Sequence, residues 1–557
     1  MSIKEKVKKL IPCFLIDYYH YLLALTGAFL FSFPSRKLIV IGVTGTSGKT
    51  TVVDLTTRIL EEGGHKVAVL SSIKFKIGEK EWENTLKMTM PGRLKIQKFM
   101  RQAVRAGCKY AVLEVTSEGI KQYRHKFIDF AVAVFTNLSP EHIEVHGGFE
   151  NYRNAKLKLF KATKNIHIIN IDDGNAEYFL DVPAKKKYTY GLNQGDINTK
   201  NTHFKLQLIG EFNIYNALAA VGVGLSQGIS LETCKKALEK VKGMPGRMEI
   251  VIKKPFTVIV DYAITPLALE KVYKTLTKNY KLQTNNLICV LGACGGGRDK
   301  WKRLVLGKIA AKYCKEIIVT NEDPYDENPQ EIIDQVAQGV ENIRINQQNQ
   351  HKSAVLKILD RREAIKKALE LARSGDTVII TGKGCEPWMC VAGGKKIPWD
   401  DRQVVREEFE KEILRGVRYT FRGTKKYEIL EHTADLKIRV FGKTKEELFL
   451  NSLLAMAESM KPEVEKGAEV RRKIKVKSAD LPALLVDFLS EVLYLVQTNK
   501  EIYRDVKFKK FTDTKIEAEL FGQKVERFGE DIKAVTYHNL EIKQSGNIWE
   551  ATILFDI

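Results

Sequence analysis

Ten residues constrain this chain more than any others. Gly42-Val43-Thr44-Gly45-Thr46-Ser47-Gly48-Lys49-Thr50-Thr51 follows the β-branched run Leu38–Val43 and opens a stretch of helical periodicity. A strand that turns through glycines straight into a helix needs parallel strands beside it, because the return connection must cross a sheet face. Glycines in the turn let backbone N–H groups close around phosphate oxygens, and the helix N-terminus adds partial positive charge. Lys49 would reach the outer phosphates of a nucleotide, and Thr50 would place a hydroxyl on Mg²⁺.

The pattern that follows obeys this constraint as far as about residue 415. Short apolar strands are expected at Leu38–Val43, Lys66–Leu70, Tyr110–Val115, Phe130–Phe135 and Ile166–Ile171, with helices between several of them. Gly243-Met244-Pro245-Gly246-Arg247 reads as a junction, after which Thr257–Val260, Leu287–Leu291, Glu316–Thr320 and Thr377–Thr381 form a second strand–helix series. The expected fold class is α/β, two such domains over 38–245 and 246–415, followed by an α+β domain over 425–557. At about 100–200 residues per domain, 557 residues suit that count. With 44% apolar and 28% charged residues the chain is globular rather than disordered or fibrous. No pair among the eight cysteines is spaced C-x-x-C, which argues against a zinc knuckle, and the last 167 residues hold none, which argues against a secreted disulfide scaffold. A cytoplasmic setting is the simplest expectation.

Residues 1–37 stand apart. Lys4, Lys6, Lys8 and Lys9 precede an apolar, aromatic stretch, Leu10–Phe33, that carries Asp17 and His20. No small-residue cleavage site follows, and the clean run Tyr21–Phe31 is short of the roughly 20 residues that span a bilayer. The expectation is a helix packed on the next domain, with peripheral membrane contact through residues 1–33 as the alternative.

The loop G-x-T-G-T-x-G-K-T-T resembles the Mur ligase family of ATP-dependent amide-bond-forming enzymes, and further blocks occur in the family's order. They are Leu113-Glu114-Val115-Thr116-Ser117-Glu118, Phe135-Thr136-Asn137-Leu138-Ser139-Pro140-Glu141-His142, Tyr152-Arg153-Asn154-Ala155-Lys156 and Gly210-Glu211-Phe212-Asn213-Ile214-Tyr215-Asn216. The resemblance implies transfer of the ATP γ-phosphoryl to a carboxylate, giving an acyl phosphate that an amine attacks. Two anions must then be held together, which requires cations where they meet. Lys49, Glu114, His142 and Lys156 are the implied catalytic residues. Thr50 and Glu114 would hold one Mg²⁺, and His142 a second, helped by a carbamylated Lys156. Carbamylation requires Lys156 to lose its proton, so a buried position that lowers its pKa is expected. The ATP-binding set is Gly45, Thr46, Ser47, Gly48, Lys49, Thr50 and Thr51, with Asn213, Asn216, Arg247, Asp261 and Arg298.

Pro245-Gly246-Arg247-Met248-Glu249 resembles the block of the branch that adds the third residue of the peptidoglycan stem peptide. A muramyl-peptide-like acceptor and an amino acid are therefore the implied substrates. Asn321, Asp323, Pro324 and Tyr325 stand where that branch reads the incoming amino acid, with Glu386 close by in the block Lys383-Gly384-Cys385-Glu386. Tyr325 replaces the arginine that grips diaminopimelate, removing a bidentate carboxylate partner and leaving lysine or another amine open. Only 37 residues precede the loop strand, where the family carries a domain that docks the UDP-sugar. A UDP-muramyl dipeptide held differently, a lipid-linked precursor and another γ-glutamyl-type acceptor, as in folylpolyglutamate synthetases, all stay open.

From Glu431-His432-Thr433-Ala434-Asp435 to Leu554-Phe555-Asp556-Ile557 the chain resembles archease, a small protein that activates a tRNA-splicing RNA ligase. Asp435, Asp556 and the terminal carboxylate of Ile557 are hard oxygen donors suited to Ca²⁺ or Mg²⁺. Lys533 carries over as a functional lysine. The alternative for the whole chain is an archease-type partner module whose Mur-like half only binds nucleotide. The chain has 90 Lys plus Arg against 68 Asp plus Glu, a net +22. Residues 424–557 hold 23 of each, so the excess lies wholly in the ligase-like part, and no direct sequence-specific nucleic-acid binding is expected.

Overall fold

The computed structural model describes residues 12–86, 88–278, 286–346, 355–414, 427–430, 435–465, 469–545 and 548–557. The basic start, the expected break at Arg415–Thr424 and His432 lie outside them. The chain divides into two compact units, one holding both α/β sheets and ending at Val405, the other running from Arg406 with two short pieces, Lys254–Phe256 and Glu370–Gly375.

The first unit contains an eight-stranded and a six-stranded sheet. In the larger, Ile39–Thr44 is central, paired in parallel with Tyr110–Glu114 on one side and Phe130–Phe135 on the other. Val67–Leu70, Ile166–Asn170 and Lys186–Tyr190 continue the parallel series, and the hairpin Lys74–Ile77 with Lys80–Glu83 forms an antiparallel edge. These strands read as continuous Val/Ile/Ala runs because both faces are covered, so no polar alternation is selected. Strand order turns at Ile39–Thr44, the place where open α/β sheets leave a crevice. The smaller sheet runs Val355–Ile358, Glu316–Thr320, Leu287–Leu291, Thr377–Thr381, Thr257–Asp261 in parallel and ends on antiparallel Glu249–Ile252. All nine strands expected from the sequence are present, with ends shifted by a residue at most.

Before the central strand, helix Cys13–Leu30 packs on helix Arg93–Arg105. Ala24 and Ala28 are buried there, and Gly27 lies against Leu94 and Gln97. The expectation of a helix packed on the next domain is met on that face.

The second unit is α+β. One sheet runs Tyr427–Leu430, Leu436–Gly442, Ile548–Asp556, Ala534–Ser545, and a second is built around Lys515–Phe528 with Val470–Lys477 and Glu501–Thr512 on its flanks. Helices Lys445–Ser459 and Leu481–Asn499 supply the core, through Phe449, Leu453, Leu484, Phe488 and Leu489 among others, all fully buried. Each such side chain contributes about 1.5–3 kcal/mol. Among the described residues, Leu481–Asn499 is the helix whose length and apolar composition would suit a bilayer. Its buried face explains that composition.

Candidate active site

The glycine loop lies between the ends of Ile39–Thr44 and helix Lys49–Glu62. Gly48 has φ +83°, and a Cβ there would meet Asn216 Oδ1 at 2.4 Å. Gly45 is equally constrained by space, since its Cβ would lie 1.9 Å from Thr136 Oγ1. The loop is clamped from the next strand's end. Ser47 N–H donates to Asn137 Oδ1 at 3.0 Å, Asn137 Nδ2 donates back to Ser47 O at 3.0 Å, and Thr46 N–H donates to Asn137 O at 2.8 Å. Thr46 Oγ1 also meets the Tyr152 hydroxyl at 3.0 Å.

Two lysines point into this loop from opposite elements. Lys49 Nζ donates to Thr46 O at 2.8 Å, and Lys156 Nζ, from helix Phe149–Ala162, donates to Gly45 O at 2.7 Å. Lys156 is only 2% exposed. Burial, reinforced by Lys49 and opposed by Glu114, holds its pKa well below the ordinary lysine range. Burial also lowers Lys49, against the pull of Glu114. Thr50 Oγ1 donates to Glu114 Oε2 at 3.0 Å, and Ser72 donates to the same oxygen from its N–H at 2.9 Å and its hydroxyl at 3.0 Å. A hydroxyl and a carboxylate in contact at a helix N-terminus are hard oxygen donors of the kind Mg²⁺ takes.

His142 stands across the crevice with φ +56°, its Nδ1 3.4 Å from Glu118 Oε1 and its ring 3.4 Å from Arg298 Nη1. Burial, then Arg298 and Lys156, push its pKa down to about 2, so the imidazole is neutral and free to act as a ligand. Arg298 belongs to the segment after Leu287–Leu291, which joins the two α/β domains. Lys302 pairs with Glu141 at 2.9 Å, both buried, and Asp299 accepts the N–H groups of Ile143 and Glu144. From the smaller sheet, Asp261 accepts the Met248 N–H at 2.8 Å, and the Arg247 guanidinium lies 4.2 Å from the centre of the Tyr262 ring.

One cavity of about 550 Å³ gathers these groups. Its wall includes Gly45 to Thr51, Glu114, His142 and Lys156, together with Asn213, Asn216, Arg247, Asp261 and Arg298. Asn321, Asp323, Pro324, Tyr325 and Glu386 lie outside that wall. Of these, Asp323 and Glu386 meet in a separate polar cluster, where Lys383 Nζ lies 3.0 Å from both Asp323 oxygens and 2.6 Å from Glu386. Despite burial, Glu386 and Asp323 hold Lys383 above its ordinary pKa. Tyr262 links the cluster to the cavity by donating to Glu386 at 2.8 Å. The Asn137 clamp, Tyr152 and the Glu141–Lys302 pair were not assigned roles from sequence, although all three positions lie in the quoted blocks or beside Arg298.

The sequence matches the Mur ligase middle domain over residues 43–224 and the Mur ligase glutamate ligase domain over 246–384. It is 40% identical over 418 residues to the UDP-N-acetylmuramoyl-L-alanyl-D-glutamate–2,6-diaminopimelate ligase of Syntrophomonas wolfei, covering 71% of this chain and 82% of that one. The chain belongs to the Mur ligase family. A UDP-N-acetylmuramyl-tripeptide synthetase of Roseiflexus is 36% identical over 422 residues, covering 69% and 81%. A folylpolyglutamate synthase of Mycobacterium tuberculosis shares the fold, with 16% identity and a TM-score of 0.51 over 65% of this chain and 92% of that one. As a Mur ligase the chain is an ATP-dependent acid–amino-acid ligase, and ATP and Mg²⁺ are the family's cofactors.

Residues 427–557 match the archease protein family, so this Mur ligase carries an archease domain. There, Leu436 pairs with Phe555 and Ala534 with Asp556, a register that sets Asp435 and Lys533 at the strand end carrying Asp556. Lys533 N–H donates to Asp556 O at 2.7 Å, and its Nζ donates to Ile557 O at 2.9 Å. Among the described residues no group of three His, Cys, Asp or Glu side chains is placed to hold a metal.

Proposed function

We propose that the ligase unit joins an amino acid to the carboxylate of a muramyl-peptide-like acceptor, as a muramyl-tripeptide synthetase does in peptidoglycan precursor synthesis. The observation that carries this reading is the convergence of Lys49, Lys156, Arg298 and the Thr50–Glu114 pair on one cavity. Gly45 to Thr51 would cradle the ATP phosphates, with Asn213, Asn216, Arg247 and Asp261 around the rest of the nucleotide. Mg²⁺ on Thr50 and Glu114 would neutralise phosphate charge, and a second ion would use His142. Lys156, with its lowered pKa, would react as the free amine with CO₂, giving a carbamate that supports the second ion. Lys49 and Arg298 would then balance the charge as the acceptor carboxylate attacks the γ-phosphorus and ADP leaves. The amine attacks the acyl carbon, expelling phosphate.

Asn321, Asp323, Pro324, Tyr325 and Glu386 would read the amine. Tyr325 offers a phenol where a guanidinium would pair a second carboxylate, which favours lysine or another amine over diaminopimelate. The archease domain would hold Ca²⁺ or Mg²⁺ on Asp435 and Asp556 beside Lys533 and Ile557, and would activate a tRNA-splicing RNA ligase. The test is ADP release measured with UDP-muramyl dipeptide and a panel of amines. Turnover requiring both acceptor and amine supports the reading. ATP binding with no turnover on any pair, while a cognate RNA ligase is still activated, would leave the Mur unit as a nucleotide-binding module.

A further inference from the structure

Helix Cys13–Leu30 is apolar on two opposite faces, and among the described residues only one is covered. Its buried positions, Ala24, Gly27 and Ala28, face helix Arg93–Arg105. On the other side Leu15, Tyr18, Tyr19 and Leu22, then Leu25, Phe29 and Leu30, recur at three- and four-residue spacing. Each is between 37% and 74% exposed, Phe29 the most. Running from Leu15 to Leu30, the stripe is about 24 Å long at 1.5 Å per residue. A continuous apolar stripe of that length is far from the scattered exposure ordinary surfaces show.

Charge says what covers it. Lys4, Lys6, Lys8 and Lys9 precede the helix with Glu5 the one acid among them, the helix itself carries one acid, Asp17, and Lys37 and Arg36, the latter 3.7 Å from Asp129, follow it. The helix it packs on, Arg93–Arg105, has the sequence RLKIQKFMRQAVR, with five cations and no acid. A second copy of this chain laid along the stripe, in either direction, would bring cations against cations. A surface of anionic lipid headgroups meets both requirements, taking the apolar side chains below the headgroups and the cations among them. Tyr18 and Tyr19 suit that boundary, with an apolar ring and a polar tip. Because one face stays packed on the domain, the helix would lie in the membrane plane rather than cross it.

We propose that the exposed face of Cys13–Leu30 docks this ligase on an anionic membrane surface. This inference needs the helix and not the identity of the ligase substrate.

The test is co-sedimentation of the full chain with vesicles of phosphatidylcholine containing one third phosphatidylglycerol, beside vesicles of phosphatidylcholine alone. Binding at least tenfold tighter to the anionic vesicles is expected. Tyr18→Ser with Phe29→Ser, both exposed, should weaken it at least tenfold with thermal unfolding and ATP turnover unchanged. Replacing the four lysines by glutamine should reduce the lipid preference at least threefold. A chain that ignores both vesicles, or one that forms a dimer which the paired serine substitutions dissociate, overturns the proposal.

Discussion

In the ligase unit, Lys156 reaches Gly45 across 111 residues of sequence, yet both sit in short motifs whose spacing already announces a phosphate loop and its partner helix. In the archease domain, Asp435, Lys533 and Asp556 are named by the resemblance alone, and antiparallel register brings them to one strand end. Charge is arranged just as differently. The ligase unit buries cations in its cavity, where Lys49 and Lys156 lose part of their proton affinity. The archease domain, neutral by count, keeps its cations outside: Arg471, Lys473, Lys475 and Lys477 alternate along one exposed row and Lys507, Lys509 and Lys510 along another. Between them run Glu517 and Glu519, the former held below its usual pKa by Lys515, with Lys475 and Lys510 adding to the effect. A net charge thus says little until the fold shows which charges share a face.

The sharpest way to break the comparison is to remove a buried cation. Lys49→Ala should cut ligation about 10³-fold, the scale of losing a preorganised charge at a phosphoryl-transfer site, while leaving the archease domain's melting unchanged. Lys156→Met should cost about 10²-fold. Lowering the pH should mimic it, because protonation of Lys156 competes with CO₂, and bicarbonate should restore turnover in the wild type alone. Rates of either variant within twofold of wild type would show that the buried lysines serve the fold and not the reaction.

Acid should separate the two units by stability. His125 is 3% exposed, its Nδ1 has no hydrogen-bond partner, and burial, then Lys126 and Lys158, lower its pKa to about 4. Between pH 6.5 and 4 the unfolded chain binds a proton there that the folded chain does not. The stability is complete above 6.5 and falls by up to about 3 kcal/mol as the pH drops to 4. In the archease domain Glu501 is also lowered, but from a carboxylate's ordinary value, so its window lies at lower pH. Its hydrogen bonds from Arg472 and Tyr503 lower its pKa, so its contribution survives until the pH falls below about 4.5. Calorimetry from pH 7 to 5 should show the ligase transition moving down while the archease transition holds, with His125→Gln flattening part of the slope. Parallel movement of both transitions would refute the assignment.

What could be read from sequence follows the same division. The loop and the nine parallel-sheet strands were legible because each is encoded by neighbours: β-branched runs, glycines at a tight turn, a lysine and threonine opening a helix. The clamp of Asn137 on Ser47 and the Glu141–Lys302 pair were not, since each partner looks ordinary alone and the second pair is separated by 161 residues. The apolar character of residues 13–30 was plain, but which of its faces is covered depends on Ala24, Gly27 and Ala28 meeting Leu94 and Gln97, a tertiary fact.

Register gives a weaker handle than a buried cation, and the next effect is correspondingly smaller. Asp556→Asn keeps the strand pairing and removes one carboxylate from the end where Lys533 meets Ile557. If Asp435 and Asp556 hold a divalent cation together, isothermal titration with Ca²⁺ should weaken about tenfold, and ligation should stay unchanged. Equal Ca²⁺ affinity in both proteins would remove the metal from this strand end.

The smallest effect tests the exposed rows. Lys475 is exposed opposite Glu517, which already has Lys515 at 2.7 Å, so removing one more cation leaves no buried charge unpaired. Lys475→Ala should therefore change the archease domain's stability by less than about 0.5 kcal/mol, as exposed substitutions generally do. In the ligase unit the same exchange at Lys302, whose ammonium is buried against Glu141, should cost about 3–5 kcal/mol because it strands a buried carboxylate. Denaturant midpoints of the two variants, read on their own transitions, decide whether burial rather than charge number sets what a lysine is worth in this chain. If Lys475→Ala destabilises its domain as much as Lys302→Ala does, the exposed row is part of the fold and the contrast between the two regions fails.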